Sequence, residues 1–115
     1  MLAGSAGFLL PALSVGAVGG ILALANIAPE MCINILTNFR KGQLEEARKI
    51  QNGIVELNAA VTRKGGVPAL KEAMDYLGMY GGPVRRPLLP LAEGEKEPLH
   101  ALIEKTSKQF NDLTI

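Results

Sequence analysis

The chain has 115 residues, the length of one ordinary domain with a single core. Twelve Lys and Arg against eleven Asp and Glu give a net charge of +1, which gives no sign of a nucleic-acid partner, a polybasic membrane contact or an acidic tail. Cys32 is the only cysteine, which excludes an intrachain disulfide and fits a reducing compartment. His100 is the only histidine, so the chain has too few ligands for a zinc cluster. His100 lies among polar residues, where we expect a solvated helix position.

The first part of the chain, MLAGSAGFLLPALSVGAVGGILALANIAPE, carries no charged side chain before Glu30. Its length would allow a transmembrane helix, but no basic residue precedes it, and Pro11 and five glycines interrupt it. These glycines are Gly4, Gly7, Gly16, Gly19 and Gly20. The pattern instead predicts a βαβ unit, with a short apolar strand ending at Gly4, a helix over residues 6–15 and a second apolar strand over residues 20–25.

The charged remainder of the chain predicts four helices. The first begins at Pro29 and ends before Gly42, and we expect Asn26 to cap it. Apolar residues at three-to-four spacing predict a long amphipathic helix over 43–64, and a further helix follows over 67–77. The stretch GMYGGPVRRPLLPLAEGEKEP is rich in Gly and Pro and predicts an ordered loop before a last helix over 96–110.

The order strand, helix, strand and then four helices is an incomplete α/β domain, because the two strands leave unpaired edges and an uncovered face. We expect another chain or a second copy to cover them. Pairing of exposed edges between copies would give a homo-oligomer, with a symmetric dimer as the commonest closed form. An alternative from another class is a small non-enzymatic helical interaction protein, whose apolar N-terminal segment docks on a partner or inserts in a membrane.

Four segments carry a family resemblance, and they follow one another in unbroken order from Leu2 to about Leu91. They are LAGSAGFL, GAVGGILALAN, GQLEEARKIQ and ELNAAVTRKGGVPALKEAMDYLGMYGGPVRRPL. They resemble the C-terminal third of the dihydrodipicolinate synthase and N-acetylneuraminate lyase superfamily, and most closely 4-hydroxy-2-oxoglutarate aldolase.

The resemblance implies an α/β fold, namely the C-terminal fragment of a (β/α)₈ TIM barrel. Residues 1–42 would form the last two β/α units of the barrel, with strands seven and eight and their helices. Residues 43–115 would form a C-terminal helical extension. The uncharged N-terminal segment fits this assignment, because barrel strands face packed side chains on one side and helices on the other.

The resemblance also implies a class I aldolase or lyase, in which a strand-six lysine forms a Schiff base with a pyruvate-like keto acid without a metal or other cofactor. That lysine, the strand-five tyrosine and the carboxylate-binding turn would all lie upstream of Met1. The lysines of this chain fall in charged or polar segments, where the amine stays protonated and is a poor nucleophile. They are Lys41, Lys49, Lys64, Lys71, Lys96, Lys105 and Lys108. We therefore expect no catalytic residue here and no activity from this chain alone.

By the same resemblance, Gly4, Ser5 and Ile21 are candidate substrate-binding residues. Gly4 and Ser5 correspond to the loop at the barrel's catalytic mouth, and Ile21 to the position whose carbonyl faces the pyruvyl group. Relatives that make dihydrodipicolinate or cleave sialic acid have acidic residues where this chain has Ser5 and Ala6. The resemblance therefore favours cleavage of 4-hydroxy-2-oxoglutarate or of a 2-keto-3-deoxy sugar acid.

The remaining expectations concern side chains in the helical extension and the cellular setting. We expect Tyr76 and Tyr80 to pack structurally. We expect Arg85 and Arg86 to form ion pairs or bind carbonyls, with a place in a polar interface as the second reading. The expected partners are the keto-acid substrate, the missing N-terminal portion of the barrel and further copies of the chain, with no nucleic acid and no membrane. The expected location is cytoplasmic or mitochondrial.

Overall fold

The computed structural model describes residues 1–111, 113 and 115. Five α-helices make up most of it: α1 (Leu9–Ser14), α2 (Pro29–Arg40), α3 (Leu44–Ala59), α4 (Gly66–Tyr76) and α5 (Glu93–Gln109). Short 3₁₀ turns at Ala6–Phe8 and Ala23–Asn26 precede α1 and α2, and a π-helical turn, Ala60–Lys64, joins α3 to α4.

The two predicted strands are reduced to one parallel bridge within the described part of the chain, between Ala3 and Gly20. The Ala3 N–H donates to the Gly19 carbonyl at 2.8 Å, and the Ala3 carbonyl accepts from the Ile21 N–H at 2.9 Å. A Cβ at Gly20 would lie 3.0 Å from the Ala3 carbonyl oxygen, so glycine permits this close approach. Residues 23–26, predicted as the end of the second strand, form a 3₁₀ turn instead, because Ala and Leu have weak strand preference and no further strand pairs with them.

The predicted helices are confirmed with small changes in their bounds. α2 begins at Pro29, and the chain leaves it through Gly42 at a φ of +76°. α4 is followed by Gly78 at a φ of +85°, a conformation that favours glycine. α5 begins at Glu93, three residues before its predicted start, because the Glu95 carboxylate accepts a hydrogen bond from the Ala92 N–H at 3.3 Å and caps the first turn.

The predicted capping role of Asn26 is wrong. Its side-chain amide donates to the Ala23 carbonyl at 3.0 Å, which closes the 3₁₀ turn to which Asn26 belongs. The N-cap of α2 is Ala28, which has no side-chain oxygen to offer. Pro29 at the first helical position removes one of the N–H groups that a cap would otherwise satisfy.

A single hydrophobic core joins the N-terminal segment to the helices. Helix α3 lies at its centre and packs against the Ala6–Phe8 turn, α1, α2 and α5. The largest fully buried side chains are Leu24, Ile27, Met31, Ile35, Ile54, Leu57, Val61 and Ile103. They come from both 1–42 and 43–115, so the two proposed regions share one core.

His100 is not the simple solvated residue that its polar neighbours predicted. Its Nε2 lies 2.7 Å from the Glu72 carboxylate, and its ring stacks on Tyr76 with centroids 4.0 Å apart and planes 11° apart. The Tyr76 hydroxyl donates to Glu104 at 2.8 Å, and this hydrogen bond raises the pKa of Tyr76. The predicted packing of Tyr76 is confirmed, and the cluster joins α4 to α5.

The predictions for Tyr80, Arg85 and Arg86 have different outcomes. Tyr80 is 81% exposed, so it does not pack in the core. Arg85 and Arg86 are exposed, and no ion pair of theirs is found among the described residues; their second predicted role, in a polar interface, stays a prediction. All three lie in the predicted Gly- and Pro-rich loop between α4 and α5 and are exposed.

Cys32 lies on the buried face of α2 and is only 6% exposed. Burial raises the pKa of its thiol from 9.0 to about 11. We expect Ellman's reagent at pH 8 to react with the folded chain at least roughly 10-fold more slowly than with the chain in guanidinium, because the thiolate is the reactive form. Since the folded pKa is raised, the stability that this thiol contributes is complete below pH 9 and is lost as the pH rises towards 11. Equal rates of reaction with Ellman's reagent in the folded chain and in guanidinium would contradict the buried position of Cys32.

The apolar N-terminal segment forms no membrane-length helix. Across the described residues, every helix is too short or too polar to cross a bilayer.

Candidate functional site

The parallel pairing brings the three predicted site residues to one edge. Gly4 follows Ala3 and Ile21 follows Gly20, and Ala3 and Gly20 form the bridge. Both segments run in the same direction, so the residues after the bridge emerge together. The carboxyl ends of parallel strands are where α/β proteins place their ligands. We call Gly4, Ser5 and Ile21 the carboxyl edge.

Two residues of the carboxyl edge face open space. A Cβ at Gly4 would meet no heavy atom within 4 Å, so the described chain leaves room in front of this backbone. Ile21 is 76% exposed, whereas a barrel-core position would bury it. The Ile21 N–H donates to the Ala3 carbonyl, so the backbone at Ile21 is fixed while its side chain is exposed.

Ser5 is held from two directions. It is the N-cap of the Ala6–Phe8 turn, and its Oγ accepts a hydrogen bond from the Gly7 N–H at 3.2 Å. The same Oγ accepts a second hydrogen bond from Nδ2 of Asn58, on α3, at 3.1 Å. The Ser5 side chain is therefore fixed by its own turn and by the helical extension together.

Gln51 fixes the backbone that follows Ser5. Its Nε2 donates to the Ala6 carbonyl at 2.9 Å and to the Gly7 carbonyl at 3.2 Å, and its Oε1 accepts from the Leu10 N–H at 2.8 Å. Gln51 is 5% exposed, and its hydrogen bond to the Ala6 carbonyl is buried, whereas those to Gly7 and Leu10 are part-buried. α3 thus binds both ends of the turn that leads from the carboxyl edge into α1.

Neither Gln51 nor Asn58 was predicted as a site residue. They lie seven residues apart, which places them on the same face of α3 as the buried Ile54 and Leu57. A signal was present in the sequence, because two amide side chains on an apolar helix face need buried hydrogen-bond partners. The sequence alone did not identify those partners.

An apolar surface borders the carboxyl edge. A cavity of about 210 Å³ runs beside the paired segments and is lined almost entirely by apolar side chains and glycines. Ile33 lines this cavity and is 59% exposed. Other large apolar side chains of the N-terminal segment are also more than half exposed: Met1, Leu2, Val15, Val18 and Ile21. Exposed apolar side chains gathered in one region are typical of a surface that another protein segment covers.

The lysines with described partners bond to groups outside the carboxyl edge. Lys49 and Lys105 pair with glutamates, and the Lys71 ammonium donates to the Gly81 carbonyl at 2.9 Å. The hydrogen bond from Lys96 to Glu93 raises the pKa of Lys96, which favours the protonated amine. The described residues also contain no group of three or more His, Cys, Asp and Glu that could hold a metal ion.

Comparisons with known proteins agree on one family. The profile described as the dihydrodipicolinate synthetase family matches residues 1–106. The chain is 39% identical over 97 residues to a 4-hydroxy-tetrahydrodipicolinate synthase of Corynebacterium diphtheriae, covering 84% of this chain and 32% of the relative. It is 36% identical over 100 residues to an uncharacterized DapA-like lyase of Halobacterium salinarum, covering 87% of this chain and 33% of the relative.

Solved structures give the same result. A putative dihydrodipicolinate synthase from Thermus thermophilus matches with a TM-score of 0.85 and 36% identity, covering 97% of this chain and 38% of that one. The KD(P)GA of T. tenax matches with a TM-score of 0.81 and 28% identity, covering 93% and 38%. The N-acetylneuraminate lyase of Proteus mirabilis matches with a TM-score of 0.76 and 25% identity, covering 87% and 34%. The chain spans about a third of the length of each of these proteins.

Proposed function

Because this chain belongs to the dihydrodipicolinate synthetase family, we propose that it is the C-terminal part of a (β/α)₈ barrel lyase. In this proposal residues 1–42 form the last two β/α units, and residues 43–115 form the helical extension. The parallel bridge between Ala3 and Gly20 supports it, since adjacent barrel strands are parallel. The exposed apolar side chains beside the bridge also support it, because the rest of a barrel would cover them.

The proposed reaction is that of a class I aldolase. A neutral lysine amine attacks the keto carbon of a pyruvate-like substrate, water leaves, and the resulting imine accepts the electron pair of the cleaved carbon–carbon bond. This lysine would come from the upstream portion of the barrel, with no metal or other cofactor. The present chain would contribute part of the substrate mouth and be inactive alone.

The proposed substrate is 4-hydroxy-2-oxoglutarate or a 2-keto-3-deoxy sugar acid. The observation that carries this choice is Ser5, a neutral hydroxyl held at the carboxyl edge. A neutral hydrogen-bonding group there does not repel a substrate carboxylate, as an acidic side chain would. The likeness to a KD(P)GA supports a substrate of this class. Within the family, we propose that the chain is closest to 4-hydroxy-2-oxoglutarate aldolase.

Each residue of the carboxyl edge has a proposed role in substrate binding. The open space at Gly4 would let the substrate approach the backbone. The Ser5 hydroxyl would contact the end of the substrate that is remote from the keto carbon. The Ile21 carbonyl would face the pyruvyl group, with its N–H held by Ala3.

Borohydride trapping with pyruvate tests the proposed function. We expect the isolated chain to remain unlabelled, because the proposed Schiff-base lysine belongs to the upstream portion, and we expect labelling of that portion when the two are combined. The control is borohydride without pyruvate, which should label neither. A pyruvyl adduct on any lysine of this chain would overturn the assignment, and so would a combined enzyme that traps no pyruvate.

The exposed apolar surface and the strand edges call for further protein to cover them. The upstream barrel portion is the proposed occupant of the apolar surface, and a homo-oligomer of the complete protein, seen by sedimentation, is the expected state. A cytoplasmic or mitochondrial location stays a prediction. The alternative of a small non-enzymatic helical or membrane-associated protein is not favoured, because the family match extends over residues 1–106.

A further inference from the structure

The hydroxyl of Ser5 has one hydrogen-bonding capacity left. A serine hydroxyl offers two lone pairs and one O–H proton. The Gly7 N–H and Nδ2 of Asn58 both donate to Ser5 Oγ, at 3.2 and 3.1 Å, so both lone pairs are used. Within the described chain Ser5 donates no side-chain hydrogen bond. The remaining capacity of Ser5 is therefore that of a donor.

Asn58 donates to Ser5 through its Nδ2, but its own Oδ1 is left without a hydrogen-bond partner in the described structure. Asn58 itself is 5% exposed. A reversed amide would place the oxygen against Ser5 and leave an NH₂ group buried with two unpaired donors, which is the less favourable arrangement. A buried amide with an unpaired atom adds little to stability, and such groups call for a functional explanation.

The neighbouring residues are arranged to admit Asn58. A Cβ at Gly7 would lie 2.9 Å from Nδ2 of Asn58, closer than side chains normally pack, so glycine at this position lets the amide reach Ser5. Gln51, two turns earlier on the same face of α3, holds the backbone of Ala6 and Gly7. The helix thus restrains the backbone through one amide and the hydroxyl through the other.

We propose that Asn58 is a positioning residue that makes Ser5 an obligate hydrogen-bond donor at the carboxyl edge. The group that Ser5 receives is therefore a hydrogen-bond acceptor, such as a carboxylate oxygen at the end of the substrate remote from the keto carbon, and not an ammonium group. This inference rests on the proposed substrate-binding role of the carboxyl edge. It adds a residue from the helical extension to that site and fixes the polarity of the contact.

A double-mutant cycle in the complex of this chain with the upstream barrel portion tests the functional part. We expect Ser5→Ala to raise the KM for 4-hydroxy-2-oxoglutarate roughly 10-fold, the loss that corresponds to a hydrogen bond to a charged group. Asn58→Ala should raise the KM several-fold, roughly 3- to 10-fold, and should add nothing in the Ser5→Ala background. Pyruvate trapping by borohydride should change less than about twofold in all variants, because pyruvate lacks the remote group.

The matched control is Asn52→Ala, an exposed residue on the same helix, which should leave the KM unchanged. Additive effects of the Ser5 and Asn58 substitutions on KM would overturn the inference, as would an Asn58→Ala enzyme with wild-type KM. A rise in KM accompanied by an equal loss of pyruvate trapping would also overturn it, because the two together would show general structural damage.

A second measurement needs no catalysis. In the 115-residue chain, nuclear magnetic resonance couplings of the Ser5 β-protons should report one fixed χ1 rotamer, and Asn58→Ala should convert it to an averaged value while Asn52→Ala does not. Averaging in the unmodified chain would overturn the positioning role. A fixed rotamer together with a complex that traps no pyruvate would instead overturn the proposed function and, with it, the substrate contact.

Discussion

Replacing Ile54 with alanine is expected to lower the free energy of unfolding by about 3 kcal/mol. Ile54 is fully buried in the middle of α3, the helix that contacts α1, α2 and α5. The substitution removes three carbon atoms from the core and leaves a cavity that the surrounding helices cannot close without moving. Urea unfolding followed by circular dichroism would measure the loss, and the thermal midpoint should fall by roughly 10 °C.

The matched control for this prediction is the next residue of the same helix. Val55 is 44% exposed, so Val55→Ala removes little buried surface and replaces a β-branched residue with a better helix former. Its free energy of unfolding should change by less than about 0.5 kcal/mol. Equal losses for the two variants would mean that α3 does not present the Ile54 side to the core.

The helices could be predicted because their signals are local. α3 repeats apolar residues every three or four positions, which alone specifies a buried face. Gly42 and Gly78 take positive φ values just after α2 and α4, a conformation that other residues rarely adopt. The start of α5 was placed three residues late because Glu95 caps it from inside the helix, and the Gly- and Pro-rich composition before it obscured that signal.

The strands could not be predicted in the same way. A strand is defined by its partners, and the described chain gives the Ala3 segment one partner and only one bridge. The apolar run that predicted a strand over residues 20–25 is equally compatible with a turn, which is what residues 23–26 form. Asn26 was predicted as a cap for α2 but bonds within that turn.

The candidate site could be predicted only where the family resemblance supplied it. Gly4, Ser5 and Ile21 were assigned by resemblance, and the structure places them at one edge. Asn58 meets Ser5 across 53 positions of sequence, and local patterns carry no information at that separation. The only advance sign was an amide on an apolar helix face, which shows that a buried polar partner exists without identifying it.

Replacing Gln51 with alanine is expected to lower the free energy of unfolding by about 2–3 kcal/mol. The substitution removes the partner of the Leu10 N–H and one donor from each of the Ala6 and Gly7 carbonyls. The bond to Ala6 is buried and the other two are part-buried, so water cannot replace all three. Unlike Ile54→Ala, this loss acts on the turn that follows Ser5. Hydrogen exchange of the Leu10 amide should therefore accelerate more than exchange of amides in the middle of α4.

The matched control is Asn52→Ala, because Asn52 is the next residue of α3 and is exposed. It should leave both the free energy of unfolding and the Leu10 exchange rate near their original values, within about 0.5 kcal/mol for the former. A Gln51→Ala chain that unfolds at the same urea concentration as the Asn52→Ala chain would show that α3 does not hold the turn. The turn that follows Ser5 would then depend on its own short-range hydrogen bonds, and Asn58 alone would link Ser5 to the helical extension.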